Sequence, residues 1–316
     1  MLNSNNNRHK PWWKYYALIV LICFLTPNSL ANDKGFNFID NRTECSIRFE
    51  LIDNLIVVPV KINQDVFVNL VLDTGGRSVI LFGSHFKKKL EVLDKEVLLH
   101  GYGKNRDKIA SLSVDNGLQL GGVMGKGIGI LITKGRHFFP YNGKMSIHGI
   151  IGYQVFNRFV VSIDYQKKRL TLCEPNKYVP SADFSRLPLV LKDTKPYVKL
   201  GYSAQYTTAS KGYFHIDTGS SKEVIMFLRS DDYSKRDFEY ATVGKGINGT
   251  ISGLKSNNEP LKLDELDVEA QYYLVKREFS RKEIQNAQGS IGSGLLNKYT
   301  VVLDYVNEYF YFKPYD

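Results

Sequence analysis

Short runs of Val, Ile and Leu, separated by turn residues, recur along most of this chain. Residues 54–60 and 66–72 are two such runs, and residues 299–312 are rich in Val and Tyr with turn residues inside the run. Runs of this length and composition are typical of β-strands. Short helices are predicted at only three places, residues 84–90, 153–158 and 295–298. Because helices do not alternate with strands, the pattern predicts an all-β protein.

Part of the chain is repeated 140 positions later. Residues 148–165 (HGIIGYQVFNRFVVSIDY) align without a gap with residues 288–305 (QGSIGSGLLNKYTVVLDY), and seven of the eighteen positions are identical. Upstream, residues 70–75 (LVLDTG) parallel residues 214–219 (FHIDTG) at an offset of 144. Each half therefore carries Asp-Thr-Gly followed by the same second motif, which indicates an internal duplication.

Four of the ten prolines lie between the two copies, in residues 175–196. Proline restricts the backbone and removes a hydrogen-bond donor, so this stretch is predicted to connect the lobes. The predicted division is an N-terminal half at 32–174, the connection at 175–196 and a C-terminal half at 197–316. The expected fold is all-β, with two pseudo-symmetric lobes and a few short helices.

The first 31 residues have the layout of a secretory signal peptide. Basic residues at 8–14 precede an apolar run at 15–25, and Ser29-Leu30-Ala31 supplies the small residues of a cleavage site. An apolar run of this length is short for a membrane span, which needs about 20 residues. The pattern predicts export with cleavage after Ala31, and it leaves an uncleaved membrane anchor open as the alternative.

Asp73 and Asp217 are the candidate catalytic residues, because the symmetry axis of a duplicated fold can bring two equivalent carboxyl groups together. Two carboxyl groups about 3 Å apart cannot both ionise, so they share one proton. The ionised group can then activate water as a general base, and the protonated group can act as a general acid. This arrangement would hydrolyse an amide without a metal or a nucleophilic side chain.

At these residues the chain resembles the aspartic peptidases of the pepsin and retropepsin type. The Gly-x-x-Gly segment followed by Asp-Tyr looks most like the bacterial retropepsin-like branch, here as a fused tandem, and the resemblance covers nearly all of residues 50–312. It implies a barrel of the acid-protease type in each lobe. By this resemblance, Asp73 and Asp217 form the catalytic pair, Thr74 and Thr218 form interlocking hydrogen bonds, Gly75 and Gly219 shape the turns, and Gly152 and Gly292 complete the active-site loops.

The two Asp-Thr-Gly copies differ in the residue that follows. Ser220 fits the family pattern, whereas the first copy continues with Gly76 and Arg77. A hydroxyl group that donates to a carboxylate favours the ionised form. We therefore expect Ser220 to bias Asp217 toward the general-base role and Asp73 toward the protonated role.

The family also closes glycine-tipped β-hairpins, called flaps, over its substrate. Gly101-Tyr102-Gly103 lies 28 residues after Asp73, and the glycines Gly244 and Gly246 begin 27 residues after Asp217. This equal placement makes both segments candidate flaps. Tyr102 is either a substrate contact or an exposed turn residue.

Charge and composition exclude several other functions. The net charge is +10, but the basic residues are scattered and form no compact patch of the kind that binds nucleic acid. The histidines and cysteines have no metal-ligand spacing, so neither a metal nor another cofactor is predicted. Cys45 and Cys173 either form one disulfide or remain buried thiols. His215, two residues before Asp217, is interpreted as a packed strand residue because its counterpart is Val71.

These observations predict a periplasmic or secreted aspartic endopeptidase that acts as a monomer on extended peptides or proteins. The alternatives are a catalytically silent peptide-binding or protein-interaction module on the same fold, and an envelope scaffold that forms homodimers. Replacing either aspartate distinguishes the enzyme from the silent module, and the molecular mass identifies a dimer.

Overall fold

The computed structural model of the protein describes residues 34–315 except for a few internal segments. These segments are residues 104, 136–138, 140–144, 205–206, 229–237, 258–259, 277–283 and 285–286. The predicted signal peptide at residues 1–31 lies outside the described residues. In the described part, no helix has the length and the apolar composition that a membrane crossing requires.

The first half of the described chain consists of strands that bury alternate residues. In the strand Val66–Leu72, for example, Leu70 and Leu72 pack into the main core, while Val71 lies on the opposite face. The strands are β1 (Gly35–Phe38), β2 (Glu44–Arg48), β3 (Glu50–Ile52), β4 (Leu55–Ile62), β5 (Val66–Leu72), β6 (Val79–Phe82), β7 (Glu96–Leu99), β8 (Lys108–Leu120), β9 (Val123–Thr133), β10 (Gly149–Ile151), β11 (Val160–Asp164) and β12 (Arg169–Cys173).

The second half has a similar order of elements, with the additional short strands β19 and β20. Its strands are β13 (Ser185–Lys192), β14 (Lys195–Ala204), β15 (Thr207–Asp217), β16 (Val224–Leu228), β17 (Phe238–Gly246), β18 (Gly249–Ser256), β19 (Leu261–Leu263), β20 (Val268–Ala270), β21 (Tyr272–Lys276), β22 (Ala287–Gly292), β23 (Tyr299–Asp304) and β24 (Tyr309–Pro314). The short helices are a 3₁₀ helix at Ser84–Lys88, α1 at Tyr153–Phe156 and α2 at Ser293–Leu296. The predicted all-β class with a few short helices is confirmed.

Each half has a sheet in which one strand is inserted beside the Asp-Thr-Gly strand. In the first half, β10 pairs in parallel with β5 and antiparallel with β6. In the second half, β22 pairs in parallel with β15 and antiparallel with β16. The glycine motifs that end β10 and β22 therefore lie directly beside the two aspartates.

A central six-stranded sheet joins the halves. Its order is β13, β24, β23, β11, β12 and β2, so each half supplies three strands and β11 pairs with β23 at the middle. In that pair Val161 lies opposite Leu303, and Ile163 lies opposite Val301. These are equivalent residues exchanged between the halves, as a pseudo-two-fold axis requires.

The segment 175–196, expected as the connection, differs from that expectation because β13 lies within it. β13 pairs with β24 up to Pro188 and with β14 from Leu189 onward. A proline cannot donate a ladder hydrogen bond, so it fits the point where a strand changes partner. β13 occupies the place in the central sheet that β2 occupies on the other side.

The two described cysteines are free thiols on opposite faces of the central sheet. Cys45 lies opposite Leu172, and Cys173 lies opposite Glu44. Because neighbouring strand residues face opposite sides, Cys45 packs into the main core whereas Cys173 packs beside Val160. Of the two alternatives left open by the sequence, the structure has the buried thiols.

Candidate active site

The first candidate loop begins where β5 ends. The backbone N–H of Asp73 donates to the carbonyl oxygen of Ile151 at 2.8 Å, and the N–H of Gly75 donates to Asp73 Oδ1 at 2.7 Å. Position 152 requires glycine, because a Cβ there would lie 2.0 Å from the carbonyl oxygen of Asp73. The turn and the glycine motif therefore fit together only without a side chain at this position.

The second loop has the same construction. The N–H of Gly219 donates to Asp217 Oδ1 at 3.1 Å, and the N–H of Gly292 donates to the carbonyl oxygen of Glu223 at 2.9 Å. A Cβ at Gly292 would lie 2.2 Å from the carbonyl oxygen of Lys222. Both predicted glycine pairs, Gly75 with Gly152 and Gly219 with Gly292, thus lie at their aspartates.

The two threonines connect the loops through four buried hydrogen bonds. The hydroxyl group of Thr74 accepts from the N–H of Thr218 at 3.0 Å and donates to the carbonyl oxygen of Ile216 at 2.6 Å. The hydroxyl group of Thr218 accepts from the N–H of Thr74 at 3.1 Å and donates to the carbonyl oxygen of Leu72 at 2.7 Å. Because each threonine bonds to the opposite loop, neither loop can move alone.

This linkage brings the Asp217 loop against the carboxyl group of Asp73. A Cβ added at Gly219 would lie 2.5 Å from Asp73 Cγ, so the backbone beside Asp217 touches the first carboxyl group. Burial raises the pKa of Asp73, although the Gly75 N–H and the Lys195 ammonium oppose that rise. Asp73 therefore favours its protonated form more than an exposed aspartate would.

The candidate flaps meet above this pair, tip to tip. The N–H of Asn248 donates to the carbonyl oxygen of Tyr102 at 2.9 Å, and the N–H of Asn105 donates to the carbonyl oxygen of Asn248 at 2.8 Å. The buried side-chain amide of Asn248 donates to the carbonyl oxygen of Gly101 at 3.0 Å and to Asp107 Oδ1 at 2.8 Å. The two hairpins are therefore hydrogen-bonded to each other in a closed arrangement.

The second flap ends slightly later in the chain than its glycines indicated. Gly244 and Gly246 both lie in β17, and Gly246 pairs with Gly249 to leave Ile247 and Asn248 as the turn. A Cβ at Gly246 would lie 2.1 Å from the carbonyl oxygen of Tyr102. This glycine is therefore required by the contact between the flaps rather than by the turn.

Comparison with known proteins identifies the fold. The structure is similar to the crystal structure of an aspartic proteinase from Irpex lacteus, with a TM-score of 0.54 and 13% sequence identity over 86% of this chain and 97% of that chain. The fold is that of the pepsin-like aspartic proteinases. The sequence matches no protein-family model and no curated protein.

Within this pepsin-like fold, the residues after the two Asp-Thr-Gly motifs contact the opposite half. Arg77 forms an ion pair with Asp193, at the turn between β13 and β14. At the equivalent place in the other half, Asn54 Nδ2 donates to the carbonyl oxygen of Ser221 at 3.2 Å. The contact between the halves is thus ionic at Arg77 and neutral at the equivalent position, Ser221.

Ser220 lies beside both Asp217 and Gly292. Its backbone N–H donates to the carbonyl oxygen of Asp217 at 3.2 Å, and its hydroxyl group lies 2.9 Å from the position of a Cβ on Gly292. Burial raises the pKa of Asp73, and the effect of the Ser220 hydroxyl group on Asp217 stays a prediction.

Two basic side chains lie closer to the aspartates than the sequence indicated. His215 Nδ1 lies 3.8 Å from Asp217 Oδ2, and the His215 ring lies beside Gly75. Lys195 Nζ donates to the hydroxyl group of Tyr102 at 3.3 Å, and its charge lowers the pKa of Asp73. Tyr102 is 42% exposed and approaches the cleft through this contact.

The two tyrosines of the repeated Asp-Tyr motif lie close to the aspartate loops. The hydroxyl group of Tyr165 lies 3.3 Å from Ser293 Oγ, which donates to the carbonyl oxygen of Thr218 at 3.1 Å. The counterpart Tyr305 is buried, and its hydroxyl group has no hydrogen-bond partner among the described residues. Burial, with the nearby charges of Asp73 and Asp217, raises the pKa of Tyr305.

Proposed function

We propose that this protein is an aspartic endopeptidase in which Asp73 and Asp217 together activate the hydrolytic water. The observation that carries the proposal is the threonine-linked pair of loops, which holds the backbone at Gly219 against the carboxyl group of Asp73. A fold of this kind can survive as a binding scaffold, so the assignment depends on these residues rather than on the fold. The geometry fits a pair of carboxyl groups that act as one unit.

In this mechanism the two aspartates have different roles. The raised pKa of Asp73 makes it the group that holds the shared proton and donates it to the carbonyl oxygen of the substrate. Asp217 then accepts the proton of the attacking water. Since the pair titrates as a unit, this assignment describes one microstate of the shared proton.

The substrate would be an extended peptide under the flaps. The flaps are hydrogen-bonded to each other, so they would separate to admit a peptide and then close over it. The free backbone groups of an extended peptide can hydrogen-bond to the strand edges of the flaps. We propose a monomeric enzyme, because both loops of the site come from one chain.

Export to the periplasm or the outside of the cell is part of the same proposal. It is supported by the basic, apolar and small-residue segments that end at Ala31. N-terminal sequencing of the protein purified from its native host tests it. A mature chain beginning at Asn32 is expected, and an intact N-terminus in the membrane fraction would indicate an anchor instead.

The deciding experiment measures the cleavage of denatured casein from pH 3 to pH 8. Wild type, Asp73→Asn, Asp217→Asn and a control variant, Asp65→Asn on an exposed turn, are compared with and without pepstatin. Both active-site variants are expected to lose at least about 100-fold of the activity, and the control is expected to retain it. Activity that survives in either active-site variant would rule out the aspartate pair.

A further inference from the structure

The two halves of the cleft differ in chemistry at equivalent positions. Side chains two residues apart on a strand share a face, so the face of β5 and β15 that carries the aspartates also carries Val71 and His215. We define the first wall as Leu55, Val57, Val71 and Ile150, and the second wall as the equivalent residues Lys195, Tyr197, His215 and Ser290. Every position of the first wall is apolar, and every position of the second wall has a polar group.

The sheet pairing shows that these positions are structurally equivalent. In the first half, Val71 lies opposite Val57 on β4 and beside Ile150 on β10. In the second half, His215 lies opposite Tyr197 on β14 and beside Ser290 on β22. Leu55 lies two residues before Val57, and Lys195 lies two residues before Tyr197. Each therefore shares a strand face with that residue.

The first wall belongs to a small apolar cluster that is separate from the main core. Its four residues are at most 7% exposed, and they pack with Leu99 of the first flap. Ile247, at the tip of the second flap, packs against the same cluster. When the flaps separate, this wall offers an apolar surface to a side chain of the substrate.

The second wall carries a cation instead. Lys195 is half-buried, donates to the hydroxyl group of Tyr102 at 3.3 Å, and lies with its Nζ 5.5 Å from the centre of the Tyr102 ring. Its charge also lowers the pKa of Asp73. The Lys195 ammonium therefore lies near both the first flap and the Asp73 carboxyl group.

A half-buried ammonium group selects against apolar side chains. An apolar group placed on Lys195 would remove water from the charge and supply no acceptor, which costs free energy. A carboxylate would accept from one of the three N–H groups of the ammonium in a charge-assisted hydrogen bond. His215, when protonated, adds a second positive charge on the same wall, next to Asp217.

We propose that the cleft selects substrates with an apolar side chain on one side of the cleaved bond and an acidic side chain on the other. Lys195 would be the main specificity-determining residue for the acidic side chain, with His215 supporting it, and the first wall would bind the apolar side chain. This inference rests on the proposed peptidase function and adds the substrate class to it.

The test compares matched peptides. Peptides that differ only in Glu or Gln next to a Leu, in both orders, are cleaved at pH 6 and at pH 3.5, with the products identified by mass spectrometry. In one of the two orders, wild type is expected to cleave the Glu peptide about tenfold more efficiently than the Gln peptide at pH 6. At pH 3.5 the glutamate is mostly protonated, so the preference should disappear.

Three variants assign the preference to residues. Lys195→Leu gives the second wall the residue type of Leu55, and His215→Val gives it the residue type of Val71. The control Lys199→Leu removes a second lysine of β14, whose Nζ lies 5.9 Å from the centre of the Tyr213 ring. Lys195→Leu should abolish the Glu preference, His215→Val should reduce it, and the control should keep it.

The outcomes separate the substrate class from the peptidase function. Efficient cleavage without a Glu preference, or a preference that survives Lys195→Leu, would overturn the proposed substrate class. The proposed peptidase function would be unaffected. A Lys195→Leu variant with a shifted pH profile but an unchanged Glu-to-Gln ratio would do the same, because Lys195 would then only tune Asp73.

If no peptide is cleaved, binding decides the question. Versions of the same peptides with a reduced, uncleavable bond are titrated by fluorescence anisotropy. A tenfold preference for Glu in Kd would support the selectivity of the cleft and oppose the peptidase function. Equal Kd values, or no binding, would overturn both.

Discussion

Asp73 is the residue at which folding and the proposed catalysis oppose each other. Its carboxyl group is held beside the Gly219 backbone, and burial raises its pKa. A raised pKa in the folded state means that folding disfavours the ionised form. The stability that this residue contributes is therefore complete below the pKa of an unfolded aspartate, and it decreases as the pH rises through the raised value of the folded state.

We predict that Asp73→Asn makes the protein more stable than wild type above this pH range while removing activity. Asparagine has a similar shape but cannot ionise, so the cost of the buried charge disappears. The difference in unfolding free energy should grow as the pH rises from about 4 and then level off. Urea unfolding curves at several pH values measure it, with Asp65→Asn as the exposed control. A constant difference across the whole range would contradict the assigned pKa direction.

The two equivalent tyrosines give a second prediction at this scale. Tyr165→Phe removes a hydroxyl group that contacts Ser293 below the second loop, and should destabilise the protein by about 1 kcal/mol. Tyr305→Phe removes a buried hydroxyl group without a partner in the described part of the chain, and should leave stability unchanged or increase it. Urea unfolding of both variants tests this, and equal losses would contradict it.

At the scale of elements, Asn248 is the residue of the second flap that supplies the hydrogen bonds described between the two flaps. Asn248 takes part in four hydrogen bonds to the first flap, two through its backbone and two through its side-chain amide. Its side chain is 3% exposed. Losing the amide therefore removes two of these four hydrogen bonds and leaves the two backbone bonds in place.

We predict that Asn248→Ala loosens the closed flaps. Two lost hydrogen bonds should increase the hydrogen-exchange rates of the flap-tip amides by about tenfold or more. Asn105→Ala is the matched control, because Asn105 donates to Asn248 through its backbone and keeps that bond. Hydrogen exchange read by mass spectrometry measures both variants. Unchanged exchange in Asn248→Ala would show that the backbone bonds alone hold the flaps.

The sequence predicts those elements whose signal is local. The short Val, Ile and Leu runs predicted the all-β fold that the structure confirms, and the contiguous Asp-Thr-Gly and glycine motifs predicted the internal repeat. The Arg77–Asp193 ion pair joins residues 116 positions apart, so no local pattern predicts it. His215 is a buried strand residue, as its counterpart Val71 predicts, and it also lies beside Asp217. The change from apolar to polar at all four wall positions is the sequence signal for this difference between the halves.

At the scale of the whole molecule, the central sheet makes the two halves one folding unit. Its middle pair, β11 with β23, crosses between the halves, and Val302 in that pair is fully buried against Val160 and Tyr311. Neither half can bury these residues alone. The loops of the active site are also bonded across the halves by Thr74 and Thr218, so the site depends on the same association.

We predict that Val302→Asp destabilises both halves together. A charge in this fully buried position should cost about 3–5 kcal/mol. The amides of β5, in the first half, and of β15, in the second, should then exchange faster by similar factors. Val306→Asp is the control, because Val306 is 54% exposed in the turn after β23 and should change little. If protection fell in β15 and stayed intact in β5, the halves would unfold separately, and the central sheet would join two independent domains.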